Sequence, residues 1–270
     1  MPKLFVVATP IGNLQDISAR ALQVLGDVNV IAAEDTRTAK VLLNHYGIKT
    51  RLLSYNGHNH ARRFPDILAY LENGEDVALV SDAGTPAISD PGVPLVEAAR
   101  EAGHEVVAVP GPSAVIAALS IAGLPTTSFT FTGFLPRTEG RLRALLESAG
   151  EATLVAFESP ERLAKSLATI ADTLPDRRLA VCRELTKRFE EVFVGTAAEA
   201  LEHFTEVRGE IVIVIEGSQE EAPTDLDAAA AEALQMRELG LSRQQATALL
   251  TSRFGIGRRE AYDLWLQSEK

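Results

Sequence analysis

Cysteine is almost absent from this chain: one residue, Cys182, in 270. A lone thiol excludes an internal disulfide and a zinc site built from cysteines. Its place in an apolar, strand-like run reads as packing rather than as a nucleophile. Long apolar runs are missing as well. The opening MPKLFVVATPIGNL breaks at Thr9 and Pro10, too early for a signal-peptide core. No later stretch nears the ~20 apolar residues of a membrane span, so the cytoplasm is the expected location. Positive charge is scarce: 26 Lys and Arg against 37 Asp and Glu, a net charge of −11 at pH 7. That balance argues against generic nucleic-acid binding, which needs clustered Lys and Arg, although a local basic face is compatible with an acidic remainder. Phosphate loops are lacking too. No Gly-Lys-Ser/Thr follows any strand-like run, and the first loop holds a single glycine, so the Walker loop and the dinucleotide fingerprint are both excluded. His58-Asn59-His60 lacks a third ligand cluster nearby, and no metal is expected. Ser113 stands outside the Gly-x-Ser-x-Gly elbow of a serine hydrolase.

What is present is an alternation of short apolar runs and helical stretches. Strands are expected over 4–8, 28–33, 51–54, 77–81 and 105–109. Helices are expected over 17–25, 36–46 (capped by Asp35 or Thr36), 62–72, 93–102 and 113–122. Continuous apolar strands separated by helices indicate a mostly parallel sheet covered on both faces. After Gly123-Leu124-Pro125-Thr126 the pattern changes. Strands over 129–132, 153–158, 179–183, 191–194 and 210–216 alternate with helices over 141–148, 161–173 and 197–204. The short gap between 183 and 191 predicts a hairpin and a mixed sheet. An acidic linker, EGSQEEAPTD at 216–225, leads to three helices over 226–239, 242–254 and 257–267, with Trp265 as their core anchor. The fold class is therefore α/β: a domain over 1–120, a second over 121–220, and a small helical tail over 226–270.

Four loops at the ends of apolar strands are rich in Gly, Pro, Ser, Thr and Asp: residues 8–14, 33–37, 81–92 and 109–113. Ligands of open α/β sheets bind at those carboxyl ends. Apart from Arg37 the loops carry little positive charge, which disfavours a polyanionic cofactor. They suit a ligand of low net charge held by backbone N–H and C=O groups that Gly and Pro leave accessible. S-adenosyl-L-methionine, a sulfonium, an amino acid and an adenosine joined together, meets that description. Asp82 is placed to bond a ribose hydroxyl or the ligand ammonium. The bland alternative is that the loops are only tight turns.

The segments LFVVATPIGNLQDIS, AEDTRTAKVLL, ALVSDAGTPAISDPG, VPGPSAVIAALSIAGLP, FTGFLPR, FESPERL, CRELTK and GEIVIVIEG run in order over residues 3–217. On these the chain resembles the bacterial 16S rRNA (cytidine-2′-O)-methyltransferase family of the tetrapyrrole methylase superfamily. The resemblance implies two α/β domains with S-adenosylmethionine folded in the cleft between them, and usually a homodimer. It implies cofactor contacts at Pro10, at Asp82, Ala83, Gly84 and Thr85, and at Ser113, Ala114 and Val115. From the second domain it implies Thr132, Gly133, Phe157, Arg183, Glu184 and Leu185, with Gly209 and Glu210 closing the site. The string Glu34-Asp35-Thr36-Arg37 and the run Asn56-Gly57-His58-Asn59 resemble the rRNA branch. Two departures stand out: His60 replaces the usual Glu, and Thr138-Glu139-Gly140 interrupts the basic run that usually follows GFLPR.

The reaction so implied is methylation of a ribose 2′-hydroxyl of a cytidine in the 30S decoding centre. Catalytic residues are expected at the second loop, where Glu34 or Asp35 orients or deprotonates the hydroxyl and Arg37 grips a neighbouring phosphate. A structural ion pair between Glu34 and Arg37 is the alternative. RNA contacts are expected from Asn56, His58, Asn59, Arg62 and Arg63, from Arg137 and Arg141, and from Lys187, with Arg51, Arg143 and Arg188 nearby. The tail adds Arg253, Arg258 and Arg259, which either grip rRNA or support a dimer. The competing functions are a tetrapyrrole C-methyltransferase and a non-catalytic RNA-binding assembly factor.

Overall fold

The computed structural model describes residues 2–57, 60–90, 92–218 and 226–268, which group into two compact units, Met1–Gly217 and Ser218–Lys270. The first unit holds two five-stranded sheets.

The first sheet comprises β1 (Lys3–Val7), β2 (Val30–Ala33), β3 (Arg51–Ser54), β4 (Val77–Val80) and β5 (Glu105–Val109), all parallel, in the order β3-β2-β4-β1-β5. Its helices are α1 (Ala19–Asp27), α2 (Thr36–His45), α3 (His60–Glu72) and α4 (Val93–Glu101). Strand side chains alternate between the faces. Val7, Ile31, Ala33, Ala78 and Val80 pack against Ala21, Leu25, Leu42 and Leu43 of α1 and α2. Leu4, Val30, Ala32, Val77 and Leu79 pack against Ile67, Leu71, Leu95 and Ala99 of α3 and α4. Both faces are covered, as continuous apolar strands require.

The second sheet comprises β6 (Phe129–Phe134), β7 (Thr153–Glu158), β8 (Arg178–Arg183), β9 (Glu191–Thr196) and β10 (Ile211–Ile215), in the order β6-β7-β10-β8-β9. β6 and β7 run parallel and the other pairs antiparallel, so the sheet is mixed and β8-β9 is the expected hairpin. Helices α6 (Glu139–Ser148), α7 (Pro160–Thr173) and α8 (Ala197–His203) cover one face through Leu142, Leu146, Leu163, Leu167, Ile170 and Ala200. The opposite face, Val155, Ala180, Cys182, Val212 and Val214, is covered by Val115, Ala118 and Leu119 of α5 (Ala114–Ile121). α5 follows the last strand of the first sheet yet buries its apolar side on the second. It ties the two sheets into one unit.

Several boundaries move for local reasons. A 3-10 turn at Leu14–Asp16 delays α1 until Ser18, whose hydroxyl accepts the Ala21 N–H at 3.1 Å. Val28 closes α1 and so leaves β2 to start at Val30. β6 runs on to Phe134 through an irregularity after Phe131. α3 starts at His60 and tolerates Pro65 inside it. Glu216 is buried and donates its N–H to the Arg178 carbonyl at 2.9 Å, so the linker begins beyond Gly217 rather than at 216.

The second unit is α9 (Leu226–Glu238), α10 (Arg243–Phe254) and α11 (Arg258–Gln267) around Ala233, Met236, Leu250, Ile256 and Trp265. Ser242 and Gln245 form a capping box, and Gly255 ends α10 in the left-handed conformation that glycine adopts without strain. No described helix is long and apolar enough to cross a membrane.

Candidate active site

β1 and β4 lie side by side at the middle of the first sheet, so the loops that leave them meet. Thr9 and Gly84 exchange backbone hydrogen bonds of 2.8 and 3.0 Å, and the Thr9 hydroxyl reaches the Ser81 carbonyl at 3.2 Å. Gly84 carries a φ of 76°, which glycine adopts freely. The loop after β5 comes equally close: a Cβ on Gly111 would stand 3.1 Å from that of Ala8.

Above these loops opens a cleft of about 350 Å³. One wall is Ala83, Gly84, Thr85, Ile88, Ser89 and Asp90 from the loop after β4, with Ser113, Ala114 and Val115 at the start of α5. The other wall belongs to the second sheet: Phe134, Phe157, Glu158, Cys182, Leu185, Gly209, Glu210, Ile211 and Val212. Ser113 is the N-cap of α5, but its hydroxyl makes no capping bond and stays available. Cys182 is fully buried, and burial pushes its thiol up to about 11, as in a packed rather than reactive cysteine.

Strain concentrates on both walls. Ala87 and Ser89 have φ of 68° and 65°, and Glu184 and Thr186 have 52° and 66°. Non-glycine residues enter that region at a cost and persist where surrounding contacts force them. Around Glu184 the contacts are dense. Its N–H bonds the Glu210 carbonyl at 2.9 Å, its carboxylate accepts the Glu210 N–H at 3.0 Å, and Lys187 bridges Glu184 and Glu210 at 2.8 Å each. Burial opposes ionisation of Glu184, but Lys187 and the Glu210 N–H outweigh it and hold the carboxyl below its usual range. Gly12 presses on this turn so closely that a Cβ would meet Lys187 at 2.4 Å.

A third cluster of acids sits at the ends of β2 and β4. Asp35 caps α2 by accepting the Arg37 N–H at 2.8 Å, and its carboxylate is clasped by the Arg37 guanidinium at 2.6 Å. Those bonds hold its pKa down at about 2. Asp82 accepts the Asp35 N–H at 2.9 Å, and the Asp82 N–H reaches Glu34 at 3.4 Å. Burial, then the charges of Asp82 and Asp35, raise Glu34 above the usual carboxylate range. Glu34 lines a small recess behind the cleft with Tyr55, Ser81 and Asp90. Asp90 faces both spaces. Burial pushes it up to about 6, helped by the charge of Glu34.

Of the residues expected at the cofactor, Ala83, Gly84, Thr85, Ser113, Ala114, Val115, Phe157, Leu185, Gly209 and Glu210 come together in the cleft. Pro10 is buried beside Ile11, which lines it. Asp82 turns toward α2, and Arg183 turns to Glu191 at 2.8 Å. Thr132 and Gly133 lie on β6 next to the lining residue Phe134, with a Cβ on Gly133 3.4 Å from the Ser89 hydroxyl. Glu34, Asp35 and Arg37 do not line the cleft, and Glu34 alone of the three shares a recess with the lining residue Asp90. Among the expected RNA contacts, His58, Asn59 and the side chain of Arg62 lie outside the described residues. Asn56 bonds the Ser54 hydroxyl at 3.4 Å, and Arg63 pairs with Asp66 at 3.1 Å. Arg137 and Arg141 are exposed, and Lys187 is engaged by its two glutamates. Asp90 was within sight, eight residues beyond Asp82 in a Gly/Pro-rich loop, but the turns at Ala87 and Ser89 that aim it carry no glycine to announce them.

Comparison with known proteins decides the family. The family model described as Tetrapyrrole (Corrin/Porphyrin) Methylases matches residues 3–201. A protein of Escherichia coli O157:H7 called Ribosomal RNA small subunit methyltransferase I is 44% identical over 99% of this chain and 96% of its own length. The chain belongs to that family. Proteins of the same name are 43% identical in Neisseria meningitidis serogroup B (97% of this chain, 92% of that one) and 48% identical in Thermotoga maritima (81% and 100%). Its fold is that of the tetrapyrrole methylases. A crystal structure of uroporphyrin-III-C-methyltransferase from Thermus thermophilus superposes with a TM-score of 0.57 over 79% of this chain and 94% of that one, at 21% identity. The enzyme is accordingly a methyltransferase.

Proposed function

We propose that this enzyme transfers the methyl group of S-adenosylmethionine to the ribose 2′-oxygen of a cytidine of 16S ribosomal RNA, in the decoding centre of the 30S subunit. The observation that carries the reading is the character of the cleft. It is apolar and rich in accessible backbone, and no lysine or arginine is among the described residues that line it. Its acids are Asp90, Glu158 and Glu210, of which Arg162 pairs with Glu158 and Lys187 with Glu210. A cationic sulfonium is favoured there and a polyphosphate is not. The residues fit the cofactor: Gly84, Thr85 and the unused Ser113 hydroxyl to bond its polar ends, and Val115, Phe157 and Leu185 to cover its apolar parts. Two lobes, 1–120 and 121–220, close on it. The names of the relatives point to small-subunit ribosomal RNA, and the cytidine 2′-oxygen rests on the resemblance of the motifs.

When bound, held by Gly84, Thr85 and Ser113, S-adenosylmethionine would supply an electrophilic methyl group on a positively charged sulfur, with a neutral thioether as the leaving group. The protein's first task is alignment, since well-oriented reactants account for about 7–11 kcal/mol of barrier lowering in favourable cases. The two strained turns hold both walls for that purpose. Its second task is the hydroxyl proton. Asp35 is too acidic to accept it, and its part is to fix Arg37 beside an incoming phosphate. Asp90, at the cleft wall and raised to about 6, accepts the proton, with Glu34 behind it keeping the carboxylate basic. Arg63, Arg137 and Arg141 contact the RNA, together with Asn56, His58 and Asn59 as the motif resemblance implies. Exposed Ile116, Ile121 and Phe129 support a homodimer, and the enzyme works in the cytoplasm.

The test uses 30S subunits from a strain lacking this gene and methyl-labelled S-adenosylmethionine, followed by nuclease digestion and nucleoside analysis. Labelled 2′-O-methylcytidine that appears only with the protein is the expected result. No label in 30S subunits or naked 16S rRNA, with tight cofactor binding, overturns it and makes tetrapyrroles the next substrates to try.

A further inference from the structure

The three-helix unit carries a basic cleft that methyl transfer does not require. Arg243 opens α10 and Arg258 and Arg259 open α11. With Gln244, Thr247 and Tyr262 they line a space of about 460 Å³. Arg253, grouped with Arg258 and Arg259 by sequence, turns away to Glu232 as an ion pair. Among the described residues none of Arg243, Arg258 and Arg259 is in an ion pair, and Glu260 and Asp263 of α11 do not line the space. Three guanidinium groups lining one space repel, and each stands where its own helix is already partly positive. The stacking of Arg243 on Tyr262 offsets part of that repulsion; an anion in the cleft would relieve the rest.

The shape of the cleft narrows the choice of anion. Arg243 lies 5.4 Å over the Tyr262 ring, so a planar guanidinium and a half-exposed aromatic face stand side by side. Guanidinium forks take phosphate oxygens bidentately, and an aromatic face takes a sugar or base. The mount is rigid: the capping box at Ser242, the Gly255 turn and the Trp265 core fix both helix starts.

We infer that Arg243, Arg258, Arg259 and Tyr262 form a docking cleft for the sugar-phosphate backbone of RNA, separate from the methyl-transfer cleft. This rests on the RNA-substrate reading above. Its contribution is substrate affinity: the cleft holds the RNA, while the chemistry stays with the two-sheet unit.

The experiment compares the full chain with its Arg243→Gln/Arg258→Gln/Arg259→Gln variant, measuring methyl transfer to 30S subunits across a range of KCl. Removing one phosphate-binding cation lowers the log–log salt slope by roughly 0.7–0.9, so the slope should fall by about 2. KM for 30S subunits should rise about tenfold or more, with kcat and cofactor affinity unchanged. Arg253→Gln, outside the cleft, should keep the wild-type slope, and Tyr262→Leu should raise KM without altering the slope. Circular dichroism checks that the variants stay folded. If the wild-type chain methylates 30S subunits and the triple variant matches it in slope and KM, the docking cleft is refuted and the methyltransferase reading stands. If the wild-type chain does not act on RNA at all, the parent reading falls with it. If the RNA slope is unchanged but binding to anionic phospholipid vesicles is lost, the occupant is a lipid surface and the inference is overturned.

Discussion

At the scale of the residue, Asp90 is a carboxyl displaced well above its ordinary range. A carboxyl at about 6 is mostly ionised at neutral pH and more basic than an ordinary aspartate, which suits a general base. Asp90→Asn should lower kcat at saturating cofactor by about 10²–10⁴-fold, beyond any weakening of cofactor binding; isothermal titration separates the two. The wild-type kcat should fall as pH drops through about 6, and that limb should vanish in the variant. The stability sign is opposite. Because the folded pKa lies above the unfolded value, the stabilisation from protonated Asp90 is complete below about 4 and is lost as pH rises through about 6. Wild type and Asp90→Asn should therefore melt together at pH 4, with the variant melting higher at pH 8. An Asp90→Asn enzyme of undiminished kcat would remove Asp90 from the mechanism.

Glu158 shows the reverse arrangement, a buried carboxylate fully served. At 2% exposure it accepts the Ser159 N–H at 2.7 Å, the Ser166 hydroxyl at 2.5 Å and the Arg162 guanidinium at 2.7 Å, while Arg162 also reaches the Leu135 carbonyl. Arg162→Ala would strand that charge, at a cost of about 3 kcal/mol or more, lowering Tm by roughly 6–12 °C. A thermal melt unchanged within a degree would contradict this account.

At the scale of the element, the turn from Arg183 to Lys187 is locked from outside rather than by its own sequence. Glu184 and Thr186 adopt conformations disfavoured for their types, and they are held by Glu210, Glu190 and Asn13. Gly209 makes room for this, since its φ is 91° and a Cβ there would lie 2.3 Å from the Glu184 carboxyl. Gly209→Ala should cost about 1–3 kcal/mol and displace Leu185 from the cleft. The cofactor KM should rise while kcat at saturating cofactor changes little. An unchanged KM would show that the turn does not shape the pocket. Elements also explain what was legible in advance. The strands of the first sheet are continuous apolar runs because both faces are buried, and their periodicity is a local property. Boundaries shifted where capping intervened, as at Ser18 and Val28.

At the scale of the molecule, the tail is a unit with its own core, closed by Trp265 at 5% exposure beneath the Arg237 guanidinium. Trp265→Ala should cost that unit about 3–5 kcal/mol and remove the helical signal of α9 to α11. Hydrogen exchange should show protection lost there and retained in β1, β4 and β10. Protection retained in α10 and α11 would mean that Trp265 is not the anchor.

The sequence by itself determined the order of strands and helices, the parallel and mixed character of the two sheets, the four Gly- and Pro-rich loops at strand ends and the family. These follow from periodicity, turn residues and a long ordered set of motifs, all read along the chain. Tertiary structure alone decided that α5 covers the second sheet, that Asp90 stands beside Glu34 at the cleft wall, and that Arg243 rather than Arg253 faces the tail cleft. Lys187, expected to meet RNA, is ion-paired with Glu184 and Glu210. The physical reason is common to all four. A side chain's charge partner, burial and direction depend on residues distant in sequence, and no local pattern encodes which of several nearby acids a base will find.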